Sequence, residues 1–591
     1  MTIKRLLCPV FFTLLLVLFG NQLTSEAAYG SDITEEQVRT MSFNLRYANA
    51  NDEYSWESRR PIVKELIEKE QPDIIGTQEG VYRQIMDIEE DLPAYARIGV
   101  GREGGIFGEF MAVYYKKNRF APIEWNHVWL SDKPNVVSSY SWGNKIPRMV
   151  TWVKFMDLKT NKPFYFVNTH LDHQSEKSRQ KSAEFIIKSI KNFDSDLPII
   201  LTGDFNSSRN SDIYNRFIRG GFEDGFMNAE EQINKDIGTF HDYGKRTEKG
   251  DKNIIDWVLF QGNVSTLRAE TVIYTNEDVY PSDHYPVMVD FILNHIETGK
   301  DPENKDSVFY KEAHAELFIS ELVPLSTEKG NYNFVEIYNN GYTPIDLNGY
   351  KIAYFYDPTQ PFMKGRWNVW EIVKDDLYST TTVIEPLETK VVWIKKQPCC
   401  YKLSFEQFMN NYKLDQKMLN PDQLVAVFTP QVNQGLNGSS IDGRSLALMT
   451  PDNIMISALT YNDGQIEAEE NRSIVYSAPE PFSILVEKEA QNQNPSPGQH
   501  SRDLDFDTVS EMVERYIEIN KISGPLCSKL MNTLRQAEHH YQREHTRQAE
   551  KFLEKFLIQL NQGEQKHKVS PEAKKTIKKA IEKLQLEIST V

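Results

Sequence analysis

Six apolar runs between residues 36 and 295 carry an Asp, Asn, Glu or His at one end. "MSFN" delivers Asn44 and "IIGTQE" delivers Glu79, while "FVNTHLDH" brings Asn168, His170 and Asp172. "LTGDFN" brings Asp204 and Asn206, "IIDWVLF" carries Asp256, and "YPSDHYPV" sets Asp283 and His284 just before the last run. A short apolar run bounded by turn residues reads as a buried strand. One polar strand end is commonplace, because turns are rich in Asp and Asn. Six in one stretch point to a single shared site at the edge of a sheet.

The rest of that stretch alternates helix-like and strand-like segments. "WESRRPIVKELIEKE" puts Val63, Leu66 and Ile67 on one helical face, and "SEKSRQKSAEFIIKSIKNF" is a second amphipathic helix. "GGIFGEFMAVYYKK", "RMVTWVKFMDL" and "PFYFVNTHL" are closely spaced strands. Strands in pairs between helices predict two sheets packed together with helices outside, an α/β unit over residues 36–295.

A chain of 591 residues is too long for one core. Polar residues 296–313 read as a linker. Residues 314–480 become strand and turn, punctuated by "NNG", "LNG" and "IDG", the pattern of a β-sandwich. Residues 481–504 read as a second polar, Pro-containing linker. Residues 505–591 read as a small helical bundle whose last helix starts with Ser570 as N-cap and Pro571 in the first turn.

At the start, Lys4 and Arg5 precede an apolar run from Leu6 to Phe19, and Ser25 and Ala27 supply small residues. Residues 1–27 therefore read as a cleaved secretory signal, which predicts an exported protein with no membrane-spanning segment in its mature part. Beyond it the chain keeps Cys399, Cys400 and Cys527. Adjacent cysteines do not reach the usual bridge geometry, so neither a disulfide scaffold nor a zinc cluster is expected. Hydrophobic residues at 40% with 26% charged describe a globular chain. A net charge of −17 leaves no basic surface over the whole protein for nucleic acid, although a divalent cation neutralises a phosphate locally.

The residue types at the strand ends suit hydrolysis of a phosphate ester. Carboxylate and amide oxygens bind a hard divalent cation such as magnesium, and a histidine oriented by a carboxylate moves protons near neutral pH. With no serine or cysteine nucleophile paired to a base, direct attack by water is the simpler mechanism. Asp172 and His173 read equally well as site residues or solvated turn residues. Trp56 and Trp142 read as packing. His539, His540 and His545 read as solvated helix residues before metal ligands.

The ordered set "SFNLRY", "GTQE", "GEF", "PRMVTW", "NTHLDH", "LTGDFN", "IDWVL" and "SDHYPV" resembles the endonuclease/exonuclease/phosphatase family. The resemblance implies a four-layer α/β/β/α sandwich and a metal-dependent phosphoric ester hydrolase using magnesium or manganese. It implies that Asn44, Glu79 and Asp283 hold the metal, and that Asp204 and Asn206 orient the attacking water and a phosphate oxygen. Asp256 would support His284, His170 would touch the scissile phosphate, Arg148 would contact phosphate, and Glu109 would support a histidine. Whether His284 or Asp204 removes the water proton stays open.

"ELFISELVP" with "NFVEIYNNGYTPIDLNGYKI" resembles the lamin-tail domain, an immunoglobulin-like sandwich also found on secreted bacterial nucleases. The last segment resembles the helical FIMAH module of exported Gram-positive enzymes, which implies cell-wall or surface attachment. Together these predict a secreted phosphodiesterase acting on extracellular DNA or RNA. The alternatives are a phosphomonoesterase on sugar or inositol phosphates, a sphingomyelinase-type phospholipase, or a non-catalytic surface-binding protein. The oligomeric state is not encoded in any of these features.

Overall fold

The computed structural model describes residues 37–246, 250–294, 307–356, 367–374, 381–396, 402–414, 418–429, 435–500 and 504–590. The signal segment 1–27 and Cys399 and Cys400 lie outside the described residues. Among the described residues no helix is long and apolar enough to cross a membrane.

Two sheets build the first unit. In one, the strand Gln37–Asn44 runs parallel to Ile74–Gln78 and antiparallel to Val287–Leu293. In the other, Ile199–Asp204 lies between Lys162–His170, parallel, and Asp256–Gln261, antiparallel. The side-chain period of two sorts these strands. Val38, Ile74, Phe164, Phe166, Ile200, Val258 and Phe260 form the core between the sheets. Met41, Phe43 and Ile75 face outward and pack under the helices Trp56–Glu70 and Tyr82–Asp91. Tyr165, Val167 and Leu201 face the helices Glu176–Ser189 and Asp212–Arg219. The result is the expected four-layer α/β/β/α sandwich.

The same parity sets the position of the polar residues. Asn44, Asn168, His170, Thr202, Asp204 and Asp256 share the faces of Val38, Phe166, Ile200 and Val258, so they continue the inter-sheet core to its open end. Asn168 donates to Thr77 O and Ala112 O of the facing sheet and accepts from Gln78 and Thr202. It ties the sheets together. Gly76 sits opposite this tie, where a Cβ would lie 2.1 Å from Thr202 Oγ1 and 2.8 Å from Asn168 Oδ1.

The second unit is a β-sandwich. A six-stranded sheet runs in the order Leu424–Thr429, Thr389–Lys396, Phe334–Asn339, Leu317–Val323, Ser473–Ser477, Glu487–Gln493. It packs on a four-stranded sheet of Trp367–Glu371, Lys351–Phe355, Asp442–Met449 and Met455–Asp463 across a core that includes Ile319, Ile337, Tyr354, Leu446 and Leu459. Four helices, Phe506–Glu518, Leu526–Tyr541, Thr546–Gln565 and Pro571–Thr590, bury Val509, Leu534, Phe556 and Ile581 together. Ser570 Oγ accepts from Ala573 N at 3.1 Å, as its N-cap reading predicts.

Both segments read as linkers are partly built into the domains. Phe309 is fully buried in the first unit, and its carbonyl accepts from Asn126 Nδ2 and Trp152 Nε1 at 3.0 and 2.8 Å. Glu487–Gln493 pairs as an edge strand with Ser473–Ser477. Beyond it, Ser496 N and Gly498 N donate to Glu321 and Glu336, two buried carboxyl groups directly opposite on neighbouring strands. Polar composition hid these anchors because an exposed edge strand needs no apolar face.

Candidate active site

Asp204 sits at the centre. It ends the middle strand of its sheet and is in register with His170 on one side and Asp256 on the other. Its Oδ1 accepts from Asn206 N at 2.9 Å, and its Oδ2 accepts from Asn44 Nδ2 at 3.0 Å across the sheet-to-sheet gap. His170 Nε2 lies 3.4 Å and His284 Nε2 4.0 Å from the same oxygen. Asn206, in a left-handed turn at φ 47°, places Nδ2 3.0 Å from both His170 Nε2 and Leu171 O. Asp204, His170 and His284 are all 5% exposed or less.

His284 Nδ1 lies 2.8 Å from Asp256 Oδ2. Burial alone would lower the imidazole, but the Asp256 charge and hydrogen bond outweigh it and raise it to about 10. Asp204 is pushed up to about 7 by burial and by the neighbouring Asp256 charge. His170 moves the other way, well below its ordinary range, because it is buried beside the Arg148 and Arg102 guanidiniums. The site thus holds one charged imidazole, one neutral imidazole and a carboxylate that titrates near neutrality.

Glu79 and Asp283 form the opposite wall. Glu79, at φ 63°, accepts from Asn44 Nδ2 at 3.0 Å and from Tyr47 N at 3.2 Å. Arg46 approaches both carboxylates, Nη1 to Glu79 at 4.0 Å and Nε to Asp283 at 3.8 Å, while Asp52 holds it through two bonds of 2.8 and 2.7 Å. Buried Arg59 fixes this corner from below, donating to the carbonyls of Leu45, Arg46 and Pro281. Arg46 and Arg59 were absent from the sequence-based site, although both lie in quoted motifs.

The donor set fits a hard cation. Two groups, Glu79 with His170 and Asp204, and Asp204 with Asp256 and His284, bring their ligand atoms within 4.8 Å of one another. Carboxylates crowded in a buried space are the environment in which a divalent cation relieves repulsion. Glu79 and Asp204 offer carboxylate oxygens in the first group, and Asp283, which shares Arg46 with Glu79, is in neither. Asn44 lies between two of these carboxylates. Its Oδ1 accepts from Arg46 N at 2.9 Å, and its NH2 donates to Glu79 and Asp204 at 3.0 Å each.

Arg148 is 2% exposed beside His170. One terminal nitrogen lies 3.0 Å from His173 Nδ1, and its Nε is 3.5 Å from Asp172. Nε and the other terminal nitrogen have no hydrogen-bond partner among the described residues. Glu109 Oε2 is 2.5 Å from Arg102 and 3.9 Å from His170 Nδ1. Asp172 caps the next turn, accepting from Gln174 N and Ser175 N. Trp56 and Trp142 donate to Asp87 and Asp132 away from the site. His540 stacks on Phe552, and the histidines of that module are not among the metal-competent groups of the described residues.

Comparison with known proteins matches residues 41–284 to the Endonuclease/Exonuclease/phosphatase family, 311–463 to the Lamin Tail Domain and 506–585 to the FIMAH domain. A solved endonuclease/exonuclease/phosphatase from Bacteroides vulgatus is 33% identical, with 44% of this chain and 99% of that one covered and a TM-score of 0.42. A mannosyl-6-phosphatase from Bacteroides thetaiotaomicron is 32% identical over 43% and 99% of the two chains, with a TM-score of 0.41. An uncharacterized protein of Acanthamoeba polyphaga mimivirus is 35% identical over 163 residues, 26% of this chain; the chain spans 60% of that viral protein.

Proposed function

This chain belongs to the endonuclease/exonuclease/phosphatase family through residues 41–284, and is thereby a metal-dependent phosphoric ester hydrolase; from that premise we propose that it is an exported phosphodiesterase that cleaves nucleic acid. The observation that carries the reading is the meeting of Asp204 with His170, Asp256 and His284 at one buried strand end. The signal-like residues 1–27 and the lamin-tail module support export and a nucleic-acid substrate.

Glu79 and Asp283 would hold the divalent cation, which supplies charge neutralisation at the substrate phosphate when bound. Asp204 accepts the proton of the attacking water, since a carboxylate that titrates near neutral pH is well matched to that task. His284, kept protonated by Asp256, stands 4.0 Å from Asp204 and stabilises negative charge on the phosphoryl oxygens. Neutral His170 and Asn206 hold a non-bridging phosphate oxygen. Water's oxygen bonds to phosphorus, the bond to the leaving oxygen breaks, and that oxygen leaves as an alcohol after taking a proton from solvent.

A second reading, a phosphomonoesterase, is favoured by Arg148. A buried guanidinium whose Nη1 has no partner among the described residues suits the extra charge of a terminal phosphate. Purified full chain with magnesium should nick plasmid DNA and hydrolyse bis-p-nitrophenyl phosphate, with EDTA abolishing both. Turnover of p-nitrophenyl phosphate alone would move the assignment to the monoesterase, and no turnover of either would overturn the hydrolase chemistry assigned to Asp204.

A further inference from the structure

The hairpin that carries Glu109 is built largely on glycine. Gly101 pairs with Phe110 and Gly104 with Phe107, while Gly104, Gly105 and Gly108 hold φ of 100°, 58° and 76°. Glycine at such positions leaves a hairpin soft unless something packs on it. The second domain does so. Gly105 N donates to the carbonyl of Phe482, and a Cβ on Gly104 would lie 2.8 Å from Ile484 Cγ2.

Phe482 is itself fixed in an uncommon conformation. Its φ is 64°, its N donates to Ala313 O at 2.8 Å, and its ring meets His127 at 5.0 Å and stacks on Trp129 at 6.5 Å. A bulky side chain at positive φ is a strained residue that its surroundings must hold in place. Trp129 Nε1 in turn donates to Arg102 O at 2.6 Å, and the Arg102 guanidinium holds Glu109 at 2.5 Å. Ile484, Ala313, Trp129, Met111, Val137 and Met149 close one apolar cluster across the domain boundary. A continuous set of contacts therefore runs from Phe482 to the carboxyl group that faces His170 Nδ1 at 3.9 Å, an atom with no hydrogen-bond partner among the described residues.

We propose that the β-sandwich unit is a working part of the active site: Phe482 and Ile484, on the segment between its strands Ser473–Ser477 and Glu487–Gln493, are positioning residues that set the Glu103–Glu109 hairpin, and through it Glu109 against His170. This rests on the role given to His170 above. Glu109 placed through this hairpin sets the polar surroundings of His170 Nδ1, 3.9 Å away, and orientation errors of an ångström at a reacting phosphate are costly. The effect belongs to turnover, because neither residue reaches the substrate.

The test uses the full chain carrying Phe482→Ala, Ile484→Ala, Glu109→Gln, or Phe482→Ala with Glu109→Gln, on bis-p-nitrophenyl phosphate with saturating magnesium. Phe482→Ala and Glu109→Gln are each expected to lower kcat roughly tenfold with KM within about twofold. The double variant should match Glu109→Gln alone, because both act through one contact, and Phe482→Tyr should restore turnover. Lys133→Ala, which breaks the Lys133–Glu316 ion pair at the same domain boundary, should leave kcat unchanged. Independently of activity, amides 101–110 should lose about tenfold of their hydrogen-exchange protection in Phe482→Ala. Unchanged protection overturns the proposal, as does a Phe482→Ala loss that multiplies with Glu109→Gln. A wild-type chain inactive on every phosphoester would defeat the functional reading and leave the exchange result to decide this one.

Discussion

His284 Nδ1 lies 2.8 Å from Asp256 Oδ2, and both residues are 5% exposed or less. In so dry a place the carboxylate decides the charge of the ring, because burial by itself favours the neutral imidazole. Asp256→Asn keeps the shape and removes the charge. The His284 pKa should then fall from about 10, with Asp283 and Asp204 still holding it up in part, and the alkaline limb of the kcat profile should move acid by roughly one unit or more. Imidazole titration by NMR in the metal-free protein checks the shift directly, and an unchanged His284 would refute the assignment.

Asp204→Ala should reduce turnover by about a thousandfold or more, the loss typical of a general base that also orders the site. Circular dichroism should stay native-like, because the strand end keeps its ladder bonds to Lys162–His170 and Asp256–Gln261. A folded variant with near wild-type turnover would remove Asp204 from the mechanism.

Salt dependence follows from charge. With a net charge of −17 and substrate contact confined to a few buried guanidiniums such as Arg148, few counterions leave a nucleic acid on binding. Log–log slopes of activity against salt should be about −2 or shallower, as for roughly two phosphate contacts. A slope near −6 would mean a basic track that the site does not explain.

Gly76→Ala tests the tie between the sheets. Its Cβ has no room between Thr202 and Asn168; the Thr202 hydroxyl holds the Asn168 amide, which crosses to Thr77 O of the other sheet. Overpacking of this kind costs about 1–3 kcal/mol, so the catalytic unit should unfold at visibly lower urea. An unchanged midpoint would show that the gap between the sheets yields easily.

Much of this was legible in the sequence because strand parity is simple. Phe166, Asn168 and His170, or Ile200, Thr202 and Asp204, fall on one face by counting in twos, so the apolar core and the polar site are consecutive stretches of the same surface. Contacts between distant segments left no such mark. Arg102 reaches Glu109 only because the hairpin folds on itself, and Phe482 reaches Gly105 only because another domain docks there. The bond from Arg46 N to the Asn44 amide oxygen left no mark either, since it depends on the left-handed turn at Arg46, φ 52°.

The β-sandwich carries its own pH dependence. Glu321 and Glu336 face each other across neighbouring strands, 2% and 0% exposed, and grip Ser496 N and Gly498 N. Burial pushes Glu321 up to about 7, and burial together with the Glu321 charge pushes Glu336 up to about 8, from an ordinary 4.5. The folded state therefore binds more protons than the unfolded one between pH 4.5 and 8, so stability is full below that window and falls as pH rises through it. The loss should be on the order of 3 kcal/mol, since the two groups share one site and do not add fully. Urea unfolding followed by the near-ultraviolet signal of the sandwich should show its midpoint falling from pH 5 to pH 8. Glu336→Gln should flatten that slope, and a midpoint that rises with pH would mean the pair is ionised in the native state.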